Sequence, residues 1–332
     1  VEQAARMLAE ARRPVVVVSL GPSLVGSSCV VPLARAVAEA IGAEFVACPS
    51  FSNSTGAEEA GLRPAEGGMA AWEALGPAPK TKPRAVLCLG DDPLLRLPDV
   101  ASCRRALEGA DLVVAASPYP TECAKYAHAF LPIAGPLEAA GSYVNLWGRK
   151  AESPAALGPD GRRPLREVLA DLARAMGLPE GAEWRPGPTP ELPRPEELKV
   201  PGPVGPADGR PFVLTLSPLY PWEGEPLALN AVPNLEREMT LRARDFPEGY
   251  ISISPEDAGK HGLRAWRRVR VASERGEAAL WLHTSPEVPE GVALVPFHLR
   301  ERVAEVLGGP EPDPLTGLPV FRPIPVSIEE AR

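Results

Sequence analysis

Three polar stretches carry the residues that could do chemistry, and the first is "LCLGDDPLLRLPDV". It places Gly90, Asp91 and Asp92 directly after an apolar run. Carboxylates just past the end of a strand can accept hydrogen bonds from ribose hydroxyls or from the edge of a guanine base. The same residue types also form turns that cap a following helix. The residue types favour neither interpretation, so Gly90 and Asp92 are candidates for a nucleotide site or for a structural cap.

The second stretch is "TECAKYAHAFLP", which begins at Thr121 and Glu122. It follows a strand-like run and a turn built on Pro118 and Pro120, and it passes through a short helical segment into another apolar run. Such a segment can form the rim of a cofactor site, or it can be a well-formed loop in a folded scaffold.

The third stretch, "PLEAAGSYVNLWGR", places four polar or flexible residues between regular elements: Glu138, Gly141, Asn145 and Arg149. Their polar groups can recognise a ligand, or they can hold the loop to itself. The residues leave both interpretations open.

Common catalytic motifs are missing from the sequence. "VVVVSLGPSLVGSS" has Gly21 and Gly26 after a strand-like run, but it lacks the lysine that a Walker phosphate loop requires, and the Rossmann fingerprint is also missing. No GxSxG elbow is present, and none of the four histidines has a second histidine or a cysteine three or four positions away. We therefore predict no catalytic residue in this chain, and we interpret the histidines as structural or surface residues.

The five cysteines contain no CxxC or CxxxC pair. An odd number without such spacing argues against a zinc ribbon, an iron–sulfur cluster or a disulfide framework. We predict reduced, mostly buried thiols and no metal site.

Composition excludes several classes of partner. The formal net charge is −8 and no basic run of five residues occurs, so we expect no nucleic-acid partner. No apolar run reaches the roughly 18 residues that span a bilayer, so we expect no membrane insertion. The chain starts at Val1 rather than methionine, and we expect it to be part of a longer polypeptide.

Element patterns predict an α/β region followed by a barrel. Over residues 1–180, short strand signals alternate with helices, which predicts a doubly wound, mostly parallel sheet. In this region the β-branched run 14–20 predicts a strand buried on both faces. Residues 181–211 are rich in proline and predict a linker. Residues 212–332 contain five short strand signals, at 212–217, 249–254, 267–273, 276–284 and 291–297, and one helical turn capped by Ser254, which predicts a small β-barrel.

Taken in order, these stretches resemble the molybdopterin oxidoreductase superfamily. That family has a strand ending in G-x-[NDE]-P, then T-E-[TC]-A-x-x-A, then L-P and E-x-x-G-[TS]-x-x-N-x-x-G-R. They stand here as "LGDDP", "TECAKYA", "FLP" and "LEAAGSYVNLWGR". The C-terminal half is similar to the family's dinucleotide-binding barrel of double-psi type. No single motif is specific, but their order and spacing cover most of the chain.

Within the superfamily, "SFSNSTGAEEAGLRPAEGG" (50–68) resembles the A-N-x-x-G-A-x-x-x-G-x-x-P segment of the large iron–sulfur subunit (the G subunit) of NADH-quinone oxidoreductase, respiratory complex I. The resemblance implies that this chain is the C-terminal part of such a subunit, without the N-terminal cluster-binding regions. It implies partners among the other subunits and the rest of its own subunit. It also implies a peripheral position on the cytoplasmic side of the inner membrane.

Departures from the family bear on the cofactor. The Thr-, Arg- and His-rich segment that usually holds the pterin has no clear counterpart in "LSPLYPWEGEPLALNAVPNLEREM". We therefore expect a vestigial site with no cofactor in this chain. In that case the 121–132 stretch is structural: Thr121 and Glu122 cap a helix, and Tyr126 and Phe130 pack in a core.

The alternative implied by the resemblance is the cofactor-binding half of a molybdenum or tungsten bis-(molybdopterin guanine dinucleotide) oxidoreductase such as NAD-dependent formate dehydrogenase. Its metal ligand would come from outside the chain. The residues contacting guanine nucleotide and pterin would then be Gly90, Asp92, Thr121, Glu122, Glu138, Gly141 and Asn145. A third hypothesis, an independent nucleotide-binding module, leaves the barrel unexplained.

Overall fold

The structure is a computed structural model of the 332-residue chain. It describes residues 2–19, 29–49, 53–62, 64, 68–77, 79, 81–158, 160–178, 194–197, 202, 204–217, 249–313 and 319–331. The glycine turn at Gly21 and Gly26, most of the proline-rich linker and residues 218–239, where the family's pterin-holding pattern has no clear counterpart, lie outside the described residues.

The first half of the chain alternates strands and helices. Its strands are β1 (Val15–Ser19), β2 (Glu44–Cys48), β3 (Ala85–Leu89), β4 (Leu112–Ser117), β5 (Ala129–Pro132), β6 (Gly141–Val144) and β7 (Lys150–Ser153). Its helices are α1 (Glu2–Glu10), α2 (Val30–Ala40), α3 (Ser54–Glu59), α4 (Ala71–Leu75), α5 (Pro93–Arg96), α6 (Val100–Glu108) and α7 (Leu165–Ala175). A 3₁₀ turn, Glu122–Tyr126, precedes β5.

These strands form two parallel sheets and one hairpin. β1 pairs with β2, while β3, β4 and β5 form a second parallel sheet in that order. β6 and β7 form an antiparallel hairpin. The predicted parallel α/β architecture is confirmed, and in the described residues it is divided between two sheets.

The expectation that the 14–20 run is buried on both faces is wrong. In β1 only Val18 is buried, whereas Val15 and Val17 are 49% and 62% exposed. Among the described strands β1 has one neighbour, and helix α2 packs against it. The β-branched run predicted the strand correctly, but burial depends on neighbours that the run itself does not specify.

The core of this half lies between α6 and the β3–β5 sheet. Helix α6 is capped by Asp99, whose Oδ1 accepts the N–H of Ser102 at 2.8 Å. Cys103 and Leu107 on α6 and Val113 on β4 are at most 1% exposed. The last helix of this half is α7, which has no buried residue and ends before Gly177, a glycine in the left-handed region.

A six-stranded closed barrel forms the second half. Its strands are β8 (Phe212–Ser217), β9 (Tyr250–Ile253), β10 (Arg268–Ala272), β11 (Glu277–Thr284), β12 (Val292–Pro296) and β15 (Ile324–Glu330). The order around the barrel is β10-β11-β9-β12-β8-β15, with parallel pairs β11–β9 and β12–β8. The predicted barrel is confirmed. The short strands β13 (Glu311–Pro312) and β14 (Pro319–Val320) pair outside it.

Helix α8 (Pro255–Lys260) begins as the sequence predicts. The Ser254 hydroxyl accepts the N–H of Asp257 at 3.0 Å. The buried Asp257 carboxylate in turn accepts the N–H of Gly291 at 2.7 Å, which attaches the helix to the turn before β12. A 3₁₀ turn, Phe297–Val303, and helix α9 (Ala304–Leu307) follow β12. Within the described part of the chain, no helix is both long and apolar enough to cross a membrane.

Candidate functional site

The carboxyl edge of the β3–β5 sheet brings together Gly90, Asp92 and Thr121. Gly90 follows β3 with φ +71°, a conformation that a residue with a Cβ rarely adopts. Its N–H donates to the carbonyl of Ala116 at 2.7 Å. The chain can therefore leave β3 in a tight turn, which places Asp92 next to the 3₁₀ turn that follows β4.

Asp92 is 0% exposed, and both of its carboxylate oxygens accept backbone N–H groups. Oδ1 accepts from Leu94 at 2.8 Å, which caps α5. Oδ2 accepts from Cys123 at 2.8 Å, 31 residues further along the chain. The carboxylate thus joins the start of α5 to the 3₁₀ turn after β4. Of the two interpretations that the sequence left open, the structure shows Asp92 as a helix cap.

The electrostatics of Asp92 follow from this burial. Burial away from solvent raises the pKa of the Asp92 carboxyl. The hydrogen bonds from the N–H groups of Cys123 and Leu94 and from the hydroxyl of Thr121 favour the ionised form and oppose this rise. Thr121 is itself buried, and its Oγ1 lies 3.2 Å from the Sγ of Cys123.

Three buried thiols lie in the core around this carboxylate: Cys88, Cys103 and Cys123. A hydrogen bond with Cys123, together with burial, raises the pKa of the Cys88 thiol. Burial raises the pKa of Cys103 to about 12. Both residues are therefore protonated near neutral pH and behave as small apolar residues. Among the described residues no group of three or more His, Cys, Asp or Glu side chains is arranged to hold a metal ion.

Glu122 does not share the burial of Asp92. Its carboxylate is 2.7 Å from the Nζ of Lys125 in an exposed ion pair within the 3₁₀ turn. Thr121 precedes that turn, as expected for a cap, but its hydroxyl contacts Cys123 and makes no cap hydrogen bond. Tyr126 packs against the core as predicted. The same prediction for Phe130 is wrong, because the ring is 36% exposed on β5, the last strand of its sheet.

Glu138 closes its own loop next to the same sheet edge. Its Oε2 accepts the N–H of Gly135 at 2.7 Å, and its carboxylate forms an ion pair with Arg162. Arg162 also donates to the carbonyl of Pro118 at 3.4 Å, in the turn after β4. The sequence analysis missed Arg162, which stands in a polar loop and matches no motif.

Gly141 and Asn145 belong to the β6–β7 hairpin. The Asn145 Oδ1 accepts the N–H groups of Trp147 at 3.0 Å and Arg149 at 2.9 Å. The side chain therefore closes the hairpin turn on itself. Gly141 is exposed at the start of β6 and faces open space.

Asn53 attaches this hairpin to α3, a contact that the sequence analysis missed. Its Oδ1 accepts the N–H of Val144 at 2.9 Å, and its Nδ2 donates to the carbonyl of Ser142 at 3.3 Å. A Cβ on Gly56 would lie 2.3 Å from the Asn53 Oδ1. The "NSTG" spacing therefore has a structural reason, since an asparagine clamp needs a glycine three residues later.

A bound dinucleotide would need polar groups that are free to face it. Asp92 is fully enclosed, Asn145 bonds its own turn, and Glu122 and Glu138 are paired with Lys125 and Arg162. A Cβ on Gly90 would come no closer than 3.9 Å to the nearest side chain, so this glycine does not form a tight cradle. In this arrangement these five candidate residues therefore do not fit the pterin dinucleotide that the fold family implies.

The fold is that of molybdopterin-type oxidoreductases. The structure is similar to acetylene hydratase from Pelobacter acetylenicus, with a TM-score of 0.51 and 18% identity over 85% of this chain and 51% of that one. Two sequence families also match: "Molybdopterin oxidoreductase" over residues 35–174 and "Molydopterin dinucleotide binding domain" over residues 234–325. Together they cover more than half of the chain. The chain belongs to the molybdopterin oxidoreductase family.

Several curated relatives are similar over most of this chain. The F420-dependent formate dehydrogenase 1 subunit alpha of Methanococcus maripaludis is 24% identical over 74% of this chain and 43% of its own. The NADPH-Fe(3+) oxidoreductase subunit alpha of Geobacter sulfurreducens is 26% identical over 71% and 30%. The G 2 subunit of NADH-quinone oxidoreductase from Rhizobium meliloti is 28% identical over 64% and 27%. The chain spans less than half the length of each.

Proposed function

We propose that this chain is the C-terminal scaffold region of a G-type iron–sulfur subunit of NADH-quinone oxidoreductase. In this role it supports electron transfer between clusters held elsewhere and does no redox chemistry itself. The observation that carries the proposal is the state of Asp92, which is 0% exposed with both oxygens bonded to backbone N–H groups. A side chain used in this way holds two loops together and has little capacity left for a ligand.

The Asn53–Gly56 pair supports the same assignment. The segment that resembles the G subunit is the one that holds the β6–β7 hairpin to α3. In this proposal the subfamily signature has a mechanical role, and the similarity to a G-type subunit of NADH-quinone oxidoreductase supports it.

The vestigial cofactor site is part of the proposal. Glu122, Glu138 and Asn145 keep the family's positions but bond within the chain. They stabilise loops, and no step of electron transfer is assigned to them.

The partners in this proposal are the N-terminal part of the same subunit and other subunits of the complex. Apolar side chains exposed on β1, β3, β4 and α1 provide surface for such contacts: Val15, Val17, Leu87, Leu89, Leu112 and Met7. The complex would hold the chain peripherally on the cytoplasmic side of the inner membrane.

A second candidate is the cofactor-binding half of a formate dehydrogenase-like enzyme with molybdenum or tungsten. The match to a molydopterin dinucleotide-binding domain and the similarity to formate dehydrogenase alpha subunits favour it. Here Gly90, Asp92 and Thr121 would line the guanine nucleotide, which requires the loop around residues 121–127 to open.

The test is the cofactor content of the intact parent protein, purified in its complex. Molybdenum and tungsten are measured by elemental analysis, pterin by fluorescence after oxidation, and guanine nucleotide after acid release. A formate dehydrogenase alpha subunit prepared in parallel is the positive control. Metal and pterin below about a tenth of the protein content support the scaffold. Near-stoichiometric metal with two pterins per chain would overturn it in favour of the second candidate.

A further inference from the structure

Arg300 is a charged residue that crosses from the barrel into the core of the α/β half. It lies in the 3₁₀ turn after β12 and is 7% exposed. Its Nη2 donates to the carbonyl of Leu94 at 3.2 Å and to that of Leu97 at 3.4 Å, more than 200 positions away in the chain. The guanidinium therefore lies at the C-terminal end of helix α5.

The end of α5 needs an outside donor because of its sequence. The carbonyl of Leu94 would bond the N–H four residues later in a regular helix, but that residue is Pro98, which has none. Arg300 supplies the missing donor, and its positive charge suits the negative end of a helix.

No carboxylate neutralises this guanidinium at contact distance among the described residues. Within the described part of the chain its other contacts are the carbonyl of Phe297 at 3.4 Å and the Phe297 ring, whose centroid is 4.6 Å away, and its Nε has no hydrogen-bond partner there. Burial lowers the pKa of Arg300. A buried cation held mainly by two carbonyl groups of another region is costly to displace from them, so the barrel and α5 must keep one relative position.

The other end of α5 is held by Asp92, which also accepts the N–H of Cys123 in the rim loop, residues 121–127. A helix of four residues is thus capped by the barrel at one end and, at the other, by Asp92, which is itself bonded to the rim loop. We propose that Arg300 is a positioning residue that couples the barrel to the rim loop through α5. Displacing the barrel from α5 would then loosen the rim loop. The inference is independent of which function is correct.

The test is amide hydrogen exchange in the full-length protein after Arg300→Met, which removes the donors and the charge while keeping a long apolar stem. We expect the amides of Leu94 and Cys123 to exchange at least tenfold faster, while amides in β10 and β11 change less than twofold. The matched control is Arg104→Gln, because Arg104 forms an exposed ion pair with Glu301 at 3.7 Å across the same contact. It should leave both sets of amides unchanged.

The coupling must also act in the opposite direction. Asp92→Asn should accelerate exchange of the amides of residues 299–303 in the barrel, an effect that a purely local cap would not produce. Faster exchange after R300M at Leu97 alone, with Cys123 unchanged, would overturn the coupling. An equal acceleration throughout the barrel and the rim loop would also overturn it. If R300M does not fold, Arg300→Lys serves instead, and it should give the same pattern with a smaller increase.

Discussion

The barrel and the α/β half differ in how completely they bury their apolar side chains. Each barrel strand has two hydrogen-bonded neighbours, and the described barrel core is a single cluster of twenty buried residues. The α/β half has a cluster of eleven, and β1 and β3 present apolar side chains to solvent. The barrel is thus complete as a packing unit, whereas the α/β half has surface suited to covering by other polypeptide.

A second contrast concerns how the two halves use polar residues. In the barrel, Ser254 caps α8 and Asp257 attaches that helix to the turn before β12, and these bonds add to a closed ladder of strands. In the α/β half, Asp92 and Asn53 connect segments 31 and 91 residues apart. Because the described strands of that half form no closed ladder, these hydrogen bonds carry more of its long-range order, and we expect it to be the more fragile region.

The largest expected effect is a truncation in the barrel core. Leu280→Ala removes a side chain that is 0% exposed and should lower the free energy of unfolding by about 2–5 kcal/mol. Val17→Ala, on the exposed face of β1, should change it by less than about 0.5 kcal/mol. Denaturant unfolding of both variants measures this, and equal losses would contradict the contrast between the two halves.

Asp92→Asn should cost about 1–3 kcal/mol, because the amide places an NH2 donor against one of the two backbone N–H groups that the carboxyl oxygens accept. The cost should depend on pH. Burial raises the pKa of Asp92, so its stabilising contribution is complete below the ordinary carboxyl pKa near 4 and declines as pH rises through the higher folded value. The difference between wild type and variant should therefore be largest at acidic pH. Unfolding measured across pH tests it.

The control for this prediction is Asp91→Asn. Asp91 has a half-exposed side chain in an ion pair with Arg96 at 3.0 Å, and its loss should cost less than about 1 kcal/mol. A wild-type advantage over D92N that grows with pH would contradict the raised pKa.

Gly56→Ala tests the clamp on the hairpin. Alanine normally stabilises a helix relative to glycine, but here the new Cβ meets the Asn53 Oδ1 at 2.3 Å. We expect a net loss of about 1 kcal/mol and faster exchange of the Val144 amide. Gly141→Ala, with nothing within 4 Å of its Cβ, is the matched control and should be nearly neutral. Stabilisation by G56A would remove the structural explanation of the "NSTG" spacing.

The last prediction concerns the rates at which the cysteines react and involves no change in stability. Cys48 is partly exposed, whereas Cys88, Cys103 and Cys123 are buried, and the first two of these have raised pKa values. In the native protein an alkylating reagent should modify Cys48 at least about tenfold faster than these three. Mass spectrometry of the labelled peptides identifies the sites, and early labelling of Cys103 would show that the α/β core opens readily.

Local patterns were sufficient for features that depend on near neighbours. The Ser254 cap, the parallel strands and five of the barrel strands follow from residue types within a few positions. The sixth strand, β15, was missed although Ile324, Val326 and Ile328 alternate inward. Pro323 and Pro325 stand among these residues, and proline in a run argues against a strand.

The sequence predicted which residues lie at the candidate site but not which groups they bond. The motifs located Asp92, Glu138 and Asn145, and only the structure shows that each bonds within the chain. Arg300 could not be predicted, because its partners at Leu94 and Leu97 are specified by the packing of two distant regions and not by any local pattern.

The two hydrogen bonds of Asp92 have a consequence for tracing the history of such proteins. A residue that closes the fold is retained for folding whether or not a ligand is bound beside it. An aspartate at this position is therefore poor evidence that a descendant still carries a cofactor. Exposed side chains that do not hold the fold can change at little cost to folding once binding is lost, and they are the better record of a discarded function.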